Sequence, residues 1–549
     1  MTGGISWPGV QFAFTSVSDL YWHPLTWLSH EVDISLFGMT PAGHHFTSAF
    51  LHAVAAGLLF LVLLRIGASS WASAGGCLLW AIHPLRVESF AWAAERKDVL
   101  CALFFIATVL AYLRYAERPS RGRYLAWIGL GALALMSKPT AVCVVPVLIL
   151  LEYWPLGWRV LDARRLFEKL PLAIMTAVVM WLTVYGQRES GSMSHLAVVP
   201  FWTRLQNVPI FYLRYADKIL WPVNLACFYP YDEHPVTALA LVSALVLLVV
   251  RGLAISQRRQ RPWLLVGWMW FLVCLLPNIG LLQAGRQAIA DRFTNLAMIG
   301  IAVSAGVAMS HFVGPVASPL RRRMAVISIS ATLGALALLT LRQIGYWHDS
   351  VQLFEHAISV EDSDYMRANV AIALITERRF TEAEPHLELA VRRSPTIGDS
   401  HNNLANVLLQ VGKVDRAASE AAIAVRLAPE NISAAETMGL VSFRQKDYWR
   451  TLVQFNRVIE LGASREVVAV QLNDMGASVA SRGQPSDGEP FVRRALELNP
   501  RLVQGWRNLA LVLINQGRRD DAREALQEAA RATGVQGAYG DLLRAIEGR

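Results

Sequence analysis

The side chains able to do acid–base and anion chemistry are concentrated in five short stretches of the 549-residue chain: WHPLTWLSHEVD (22–33), PAGHH (41–45), HPLRVESFAWAAERKD (83–98), SKP (137–139) and GRQAIADRF (285–293). Together they carry His23, His30, His44, His45, His83, Glu88, Glu95, Arg96, Lys97, Asp98, Lys138, Arg286, Asp291 and Arg292, interleaved with Trp and Phe. Arg and Lys hold phosphate oxygens, and a carboxylate can take a proton from an attacking hydroxyl. Tryptophans favour the border between membrane and water. The mixture suits an anionic lipid head group.

Each of these residues also has a plainer role open to it. Trp22, Trp27 and Trp92 fit an interfacial belt better than substrate stacking. For His44 and His45, adjacent at a helix start, capping or hydrogen bonding comes ahead of metal binding, because no carboxylate sits at a defined ligand spacing. The run Glu95, Arg96, Lys97, Asp98 is compatible with a mutually neutralised turn. Lys138 is more telling. It lies between two short apolar segments, where a lysine needs water or a phosphate partner.

The chain is 54% hydrophobic, and its apolar residues fall in blocks of membrane-crossing length. Much of its formal charge of +9 comes from Arg clusters in short loops between those blocks, so it implies a topology rather than a nucleic-acid partner. The five cysteines (Cys77, Cys101, Cys143, Cys227, Cys274) show no CxxC spacing. They indicate neither a disulfide framework nor a thiolate metal site. No Walker, GxSxG or HExxH motif occurs, and no GxGxxG follows a strand, so soluble nucleotide or hydrolase chemistry is unsupported.

The elements that must position these stretches are membrane helices, expected near 46–64, 71–83, 99–113, 124–136, 140–152, 170–187, 237–254, 263–283, 294–312 and 324–342. The shortest are candidates for broken or re-entrant segments. Residues 205–225 resemble an eleventh, but Arg214, Asp217 and Lys218 would each cost about 2.5–3.5 kcal/mol at bilayer depth, so an interfacial helix is expected. Loop charges agree with that choice. Arg114 to Arg123, Arg159 to Lys169, Arg251 to Arg261 and Arg321 to Arg323 then all fall on the cytoplasmic side. The five polar stretches then share the outer face. Residues 1–45 are expected to be part of a first extracytoplasmic loop, either because the chain inserts with its N-terminus translocated or, the favoured alternative, because a preceding helix lies upstream of Met1; the membrane domain runs over 46–345.

From residue 361 a 34-residue period appears at Pro395, Pro429, Ala463 and Pro500, with three extra residues in the last interval. Small residues recur at Ala371, Ala405, Gly439, Gly476 and Ala510, then at Ala390, Ala424, Val458, Ala495 and Ala529. They let two antiparallel helices of one unit approach closely, with Gly412, Gly483 and Gly517 at turns. This is the tetratricopeptide pattern, five units over 361–534, stacked into a solenoid whose groove is expected to take a polypeptide. The fold class is therefore all-α: a polytopic transmembrane helical domain followed by a tetratricopeptide-repeat α-solenoid on the extracytoplasmic side.

Through WHPLTWLSHEVD, HPLRVESFAWAAERKD, MSKPTAVCVVP, EYWPLGW, ADRFTNL and the repeats, the chain resembles bacterial relatives of the transmembrane and tetratricopeptide-repeat O-mannosyltransferases. That resemblance implies a fold C glycosyltransferase in the bacterial inner membrane. It would move a sugar from a polyprenyl-phosphate lipid to an extracytoplasmic acceptor, with inversion, while the repeats present the acceptor polypeptide. By the same resemblance Glu88, Glu95 and Asp98 are the candidate catalytic acids, and Arg96, Lys138, Arg286 and Arg292 the candidate lipid-phosphate contacts. His23, His44, His45 and His83 become candidate contacts to sugar or acceptor. No metal ligand is assigned, although a divalent ion is compatible with the chemistry. Members of this class usually carry a catalytic Asp in the first outer loop, just after the first membrane helix; Asp19 and Asp33 do not match that motif, so the chain is expected to begin downstream of it. The competing expectation is a non-catalytic membrane scaffold whose repeats recruit proteins.

Overall fold

The computed structural model describes residues 4–16, 22–158, 162–189, 199–232, 235–281, 287–313, 318–535 and 539–547. Among the described residues the regular elements are helices, with one isolated antiparallel bridge between Pro230 and Gln287. The chain divides into two compact units, Met1–Asp362 and Ser363–Arg549.

In the first unit the helices are α1 (Trp7–Thr15), α2 (Pro24–Phe37), α3 (Pro41–Arg65), α4 (Ser70–Ala81), α5 (Val87–Ala91), α6 (Arg96–Glu117), α7 (Arg121–Ser137) and α8 (Val144–Tyr153). They continue with α9 (Ala163–Glu189), α10 (Phe201–Leu220), α11 (Thr237–Ser256), α12 (Pro262–Leu275), α13 (Thr294–Val313), α14 (Pro319–Tyr346) and α15 (Ser350–Val360). Proline opens α2, α3, α12 and α14, where its missing N–H and fixed φ cost nothing. Serine side chains cap α4 and α7 through Ser69 and Ser120.

Each of the ten expected membrane segments overlaps a helix, although α12 ends at Leu275 where the segment was expected to reach 283, and among the described residues six of those helices are long and apolar enough to cross a bilayer. The other four run 10–17 residues: α4, α7, α8 and α12. A helix rises about 1.5 Å per residue, so the 12 residues of α4 reach roughly 18 Å against a hydrocarbon core of about 30 Å. Water would not tolerate the surface of this unit. Only 17% of the apolar window of α11 and 6% of that of α14 is buried, so most of their apolar side chains face outward. The protein is a multi-pass membrane protein whose solvent on those faces is lipid.

Inside the bundle, small residues set the closest approaches. A Cβ on Gly267 of α12 would lie 2.7 Å from the Gly300 carbonyl of α13, and one on Gly76 of α4 would lie 3.1 Å from Gly306 Cα. Helices meet this closely in membranes where small residues face each other.

The second unit contains five helix pairs, Asp364–Thr376 with Phe380–Arg393, Gly398–Gln410 with Val414–Leu427, Ile432–Arg444 with Tyr448–Glu460, Arg465–Ser481 with Pro485–Leu498, and Val503–Asn515 with Arg519–Thr533, followed by Gly540–Glu547. The recurring small residues lie at the contact within each pair. Ala371, Ala405, Ala510, Ala390, Ala424, Ala495 and Ala529 are almost wholly buried. A Cβ on Gly476 would come within 2.7 Å of the Gly488 carbonyl. Every pair turns through one residue of positive φ. Gly412, Gly483 and Gly517 occupy three of these positions, whereas Arg378 (φ 60°) and Lys446 (φ 63°) fill the other two.

Candidate functional site

The three charged stretches after residue 80 converge. Helix α6 starts at Arg96, so Glu95 and Asp98 sit on its opening turn, where the helix dipole favours carboxylates. Lys138 follows the last residue of α7, where the dipole favours a cation. Asp291 and Arg292 form the short turn that leads into α13.

Arg292 links the stretches. Its guanidinium pairs with Glu88, its backbone N–H donates to the same carboxylate at 2.8 Å, and its Nε lies 3.5 Å from Glu95. Glu95 also meets Lys97 at 3.2 Å and Lys138 at 3.3 Å, and Lys138 donates to Asp98 at 2.8 Å. Beneath them Arg86 donates to Asn295 Oδ1 at 2.7 Å and to Thr294, while Asn295 donates to the Asp98 carbonyl at 3.0 Å. Tyr229 donates to Asp291 at 2.9 Å. Four acids (Glu88, Glu95, Asp98, Asp291) thus face four cations (Arg86, Lys97, Lys138, Arg292), and the near-neutral sum is what allows such burial. Burial alone would lower the Lys138 pKa, but the Asp98 and Glu95 carboxylates outweigh it and hold the ammonium above the ordinary lysine value.

A second cluster surrounds Asp33. Arg96 donates to Asp33 at 2.6 Å, to Ser29 at 2.9 Å, to Ser48 at 2.8 Å and to the His44 carbonyl at 2.5 Å, so four of its five N–H donors are used. Thr47 donates to the other Asp33 oxygen at 2.8 Å. His44 Nδ1 lies 3.1 Å from Asp33 and 3.2 Å from His30 Nδ1. His30, Asp33 and His44 therefore offer three metal-ligand atoms within 4.8 Å of one another, a carboxylate that sequence spacing had not supplied. The set does not fit a divalent ion. Arg96 already neutralises Asp33, and an added ion would raise the buried charge of the cluster to about +2, counting Arg96 and Asp33 as cancelling. Burial, then the Arg96 charge, lowers the His30 pKa to about 4, which keeps its imidazole neutral.

The remaining expected residues are scattered. His23 is buried at the start of α2 with its ring edge-on to Trp27 at 5.4 Å. His45 is exposed. His83 is wholly buried and bridges Ile219 O at 3.1 Å and the Leu85 N–H at 3.3 Å; burial and then Arg86 push its pKa down to about 3. A neutral His83 thus ties the 83–98 stretch to α10. Arg286 lies outside the described residues, as do Asp19 and Arg159. Trp92 is exposed beside the network, with Arg292 over its ring at 5.4 Å.

Arg86, Tyr229, Thr294 and Asn295 received no role from sequence. Arg86, Thr294 and Asn295 belong to the quoted motifs HPLRVESF and ADRFTNL, so motif membership was their only signal. Tyr229 had none.

A tetratricopeptide-repeat family model matches residues 369–432 and 474–535. The chain is similar to protein O-mannosyl-transferase Tmtc1 of Drosophila melanogaster, at 22% identity over 70% of this chain and 55% of that protein. It is also similar to protein O-mannosyl-transferase TMTC3 of Mus musculus, at 21% identity over 90% of this chain and 59% of that protein. It therefore spans somewhat more than half the length of these curated relatives. Among solved structures, the repeat protein YrrB, described as having an unusual peptide-binding site, aligns with 36% of this chain and 99% of that one, at 17% identity and a TM-score of 0.28.

Proposed function

Because the chain is a relative of the transmembrane and tetratricopeptide-repeat O-mannosyltransferases, we propose that it is a membrane glycosyltransferase. It takes a sugar from a polyprenyl phosphate and places it on a polypeptide held by the repeats, on the outer face of a bacterial inner membrane. An acceptor hydroxyl attacks the anomeric carbon, the bond from that carbon to the phosphate oxygen breaks, and a carboxylate takes the hydroxyl proton. Glu88, Glu95 and Asp98 are the candidates for that carboxylate. Arg292 and Lys138 supply the positive field that stabilises the leaving lipid phosphate, while Arg96 holds Asp33 and so fixes α2 against α3 and α6.

The observation that carries this reading is the meeting of three sequence-distant charged stretches in one buried network, joined by Arg292 and Lys138. A network this costly to bury is more than a set of solvated turns. One feature favours the scaffold alternative: each of the three acids is already paired with a cation. The test is a comparison of glycopeptides from a deletion strain and its parent, together with transfer of labelled mannose from a polyprenyl phosphate by the purified chain in nanodiscs. Sugar is expected to be lost from a set of secreted proteins in the deletion. Identical glycopeptides and no label transfer, with the repeats still capturing proteins, would establish the scaffold instead.

A further inference from the structure

A cavity of about 310 Å³ opens beside the charged network, between the second half of α10 and the end of α15. It is lined by Arg214, Asp217, Lys218, Trp221, Tyr229 and Glu361 among others. Ligand pockets run from about 300 to 1,000 Å³, so this one has room for a single sugar ring and its phosphate and little more. The void inside the network, next to Asp98 and Lys138, is about 10 Å³ and holds at most one water.

The lining chemistry is specific. Lys218 stands 4.1 Å from the centroid of the Tyr229 ring, and among the described residues no carboxylate comes within 4 Å of its ammonium. The four cations of the network, in contrast, are matched by acids or amides. Arg214 pairs with Glu361 at 2.8 Å through one nitrogen, which leaves donors on its fork, and its guanidinium lies 5.7 Å from the same tyrosine ring. Asp217 is exposed at the cavity edge, and Trp221, 71% exposed, offers a flat apolar face there. Tyr229 is the wall shared with the network: it accepts from the Ala226 N–H at 2.7 Å and donates to Asp291, next to Arg292. His83, bonded to the Ile219 carbonyl, fixes the neighbouring end of α10.

We propose that this cavity seats a monosaccharide phosphate, the head group of the lipid-linked donor. Its phosphate meets Lys218 and Arg214, its hydroxyls meet Asp217 and Glu361, and its ring lies against Trp221. The assignment rests on the transferase reading above and adds to it where the donor binds. The phosphate seat is then Lys218, which among the described residues has no carboxylate within ion-pair distance, while Arg292 and Lys138 act from behind Tyr229.

The test uses the full chain in lipid nanodiscs with two probes, mannose 1-phosphate and farnesyl-phosphoryl mannose, measured by calorimetry for binding and by label transfer for activity. Lys218→Ala is expected to weaken binding of both probes by about tenfold or more, and Lys218→Arg to restore most of it. Melting temperatures of both variants report whether the fold is kept, and Trp221→Ala, at an exposed side chain, is expected to weaken both probes without lowering the melting temperature. The lipid-linked probe is expected to bind more tightly than the soluble one; equal affinity would overturn the lipid source. If the parent transfers sugar while Lys218→Ala and Trp221→Ala bind and transfer as the parent does, the cavity assignment is overturned and the transferase reading stands. If the parent binds neither probe and transfers nothing, both fall together.

Discussion

Lys138 meets Asp98 and Glu95 within 3.3 Å, and all three side chains are about 5% exposed or less. Removing one partner of such a group leaves the others charged and unpaired, at a cost of about 3–5 kcal/mol. Lys138→Ala and Glu95→Gln are therefore expected to lower the unfolding temperature and to abolish sugar transfer by the fraction that remains folded. Unchanged transfer from a polyprenyl-phosphate sugar by both variants would remove them from the site. Lys138 was legible because a lysine between two apolar segments demands a partner. Which partners it has was not, because Asp98 and Glu95 lie 40 and 43 residues away. His30 makes a separate prediction. Its pKa falls from 6.5 to about 4 in the fold, so the unfolded chain binds more protons between those values. The associated stability is fully present above pH 6.5 and is lost as pH falls toward 4, by about 3 kcal/mol in all. Melting temperatures from pH 7 to 4.5 should fall less steeply for His30→Asn than for the parent; equal slopes would show that other groups set the acid response.

At the scale of elements, the repeat helices follow from their periodicity, and the small residues that mark it are the ones buried within each pair. Their turns were only partly legible. Three glycines announced positive φ, but Arg378 and Lys446 adopt the same conformation with a Cβ in place. The left-handed region costs such residues about 1–2 kcal/mol, part of which glycine's larger entropy loss offsets. Lys446→Gly is expected to stabilise the repeat unit by roughly 0.5–1 kcal/mol, and Gly412→Ala to destabilise it by about as much or more. Both are read from the repeat transition in thermal unfolding; a lower midpoint for Lys446→Gly would mean that its side chain contributes more than its backbone costs. In the membrane unit, Glu152 of the EYWPLGW motif is wholly buried, meets Lys169 Nζ at 2.5 Å and accepts from Tyr112 at 2.7 Å. This staple joins α6, α8 and α9 through residues that no single motif contains.

For the whole molecule, the topology reading puts the repeats outside the cytoplasm. The five native cysteines all lie in the membrane unit and four are buried, so once the half-buried Cys227 is replaced by serine a cysteine placed on the repeats reports alone. Ser419, exposed on the second repeat, suits the purpose. Ser419→Cys is expected to react with a membrane-impermeant maleimide on intact spheroplasts; labelling only after lysis would put the repeats inside and the charged network with them on the opposite side from the proposal.

The sequence by itself determined the fold class, the six long apolar helices and the repeat array. These depend on local periodicity and on the length of apolar runs, which neighbouring residues carry. It also singled out the charged stretches, because charge next to hydrocarbon is conspicuous. Only the tertiary structure decided how those charges are shared. Arg96, grouped with the phosphate contacts, is spent on Asp33 63 residues away, and His83 on the backbone of α10. Lys218, set aside as one of three charges too costly for a membrane span, lines a cavity with no carboxylate inside ion-pair distance among the described residues. The physical reason is that the energy of a buried charge depends on what else reaches within a few ångströms, and that is a property of the packing between helices, not of any segment.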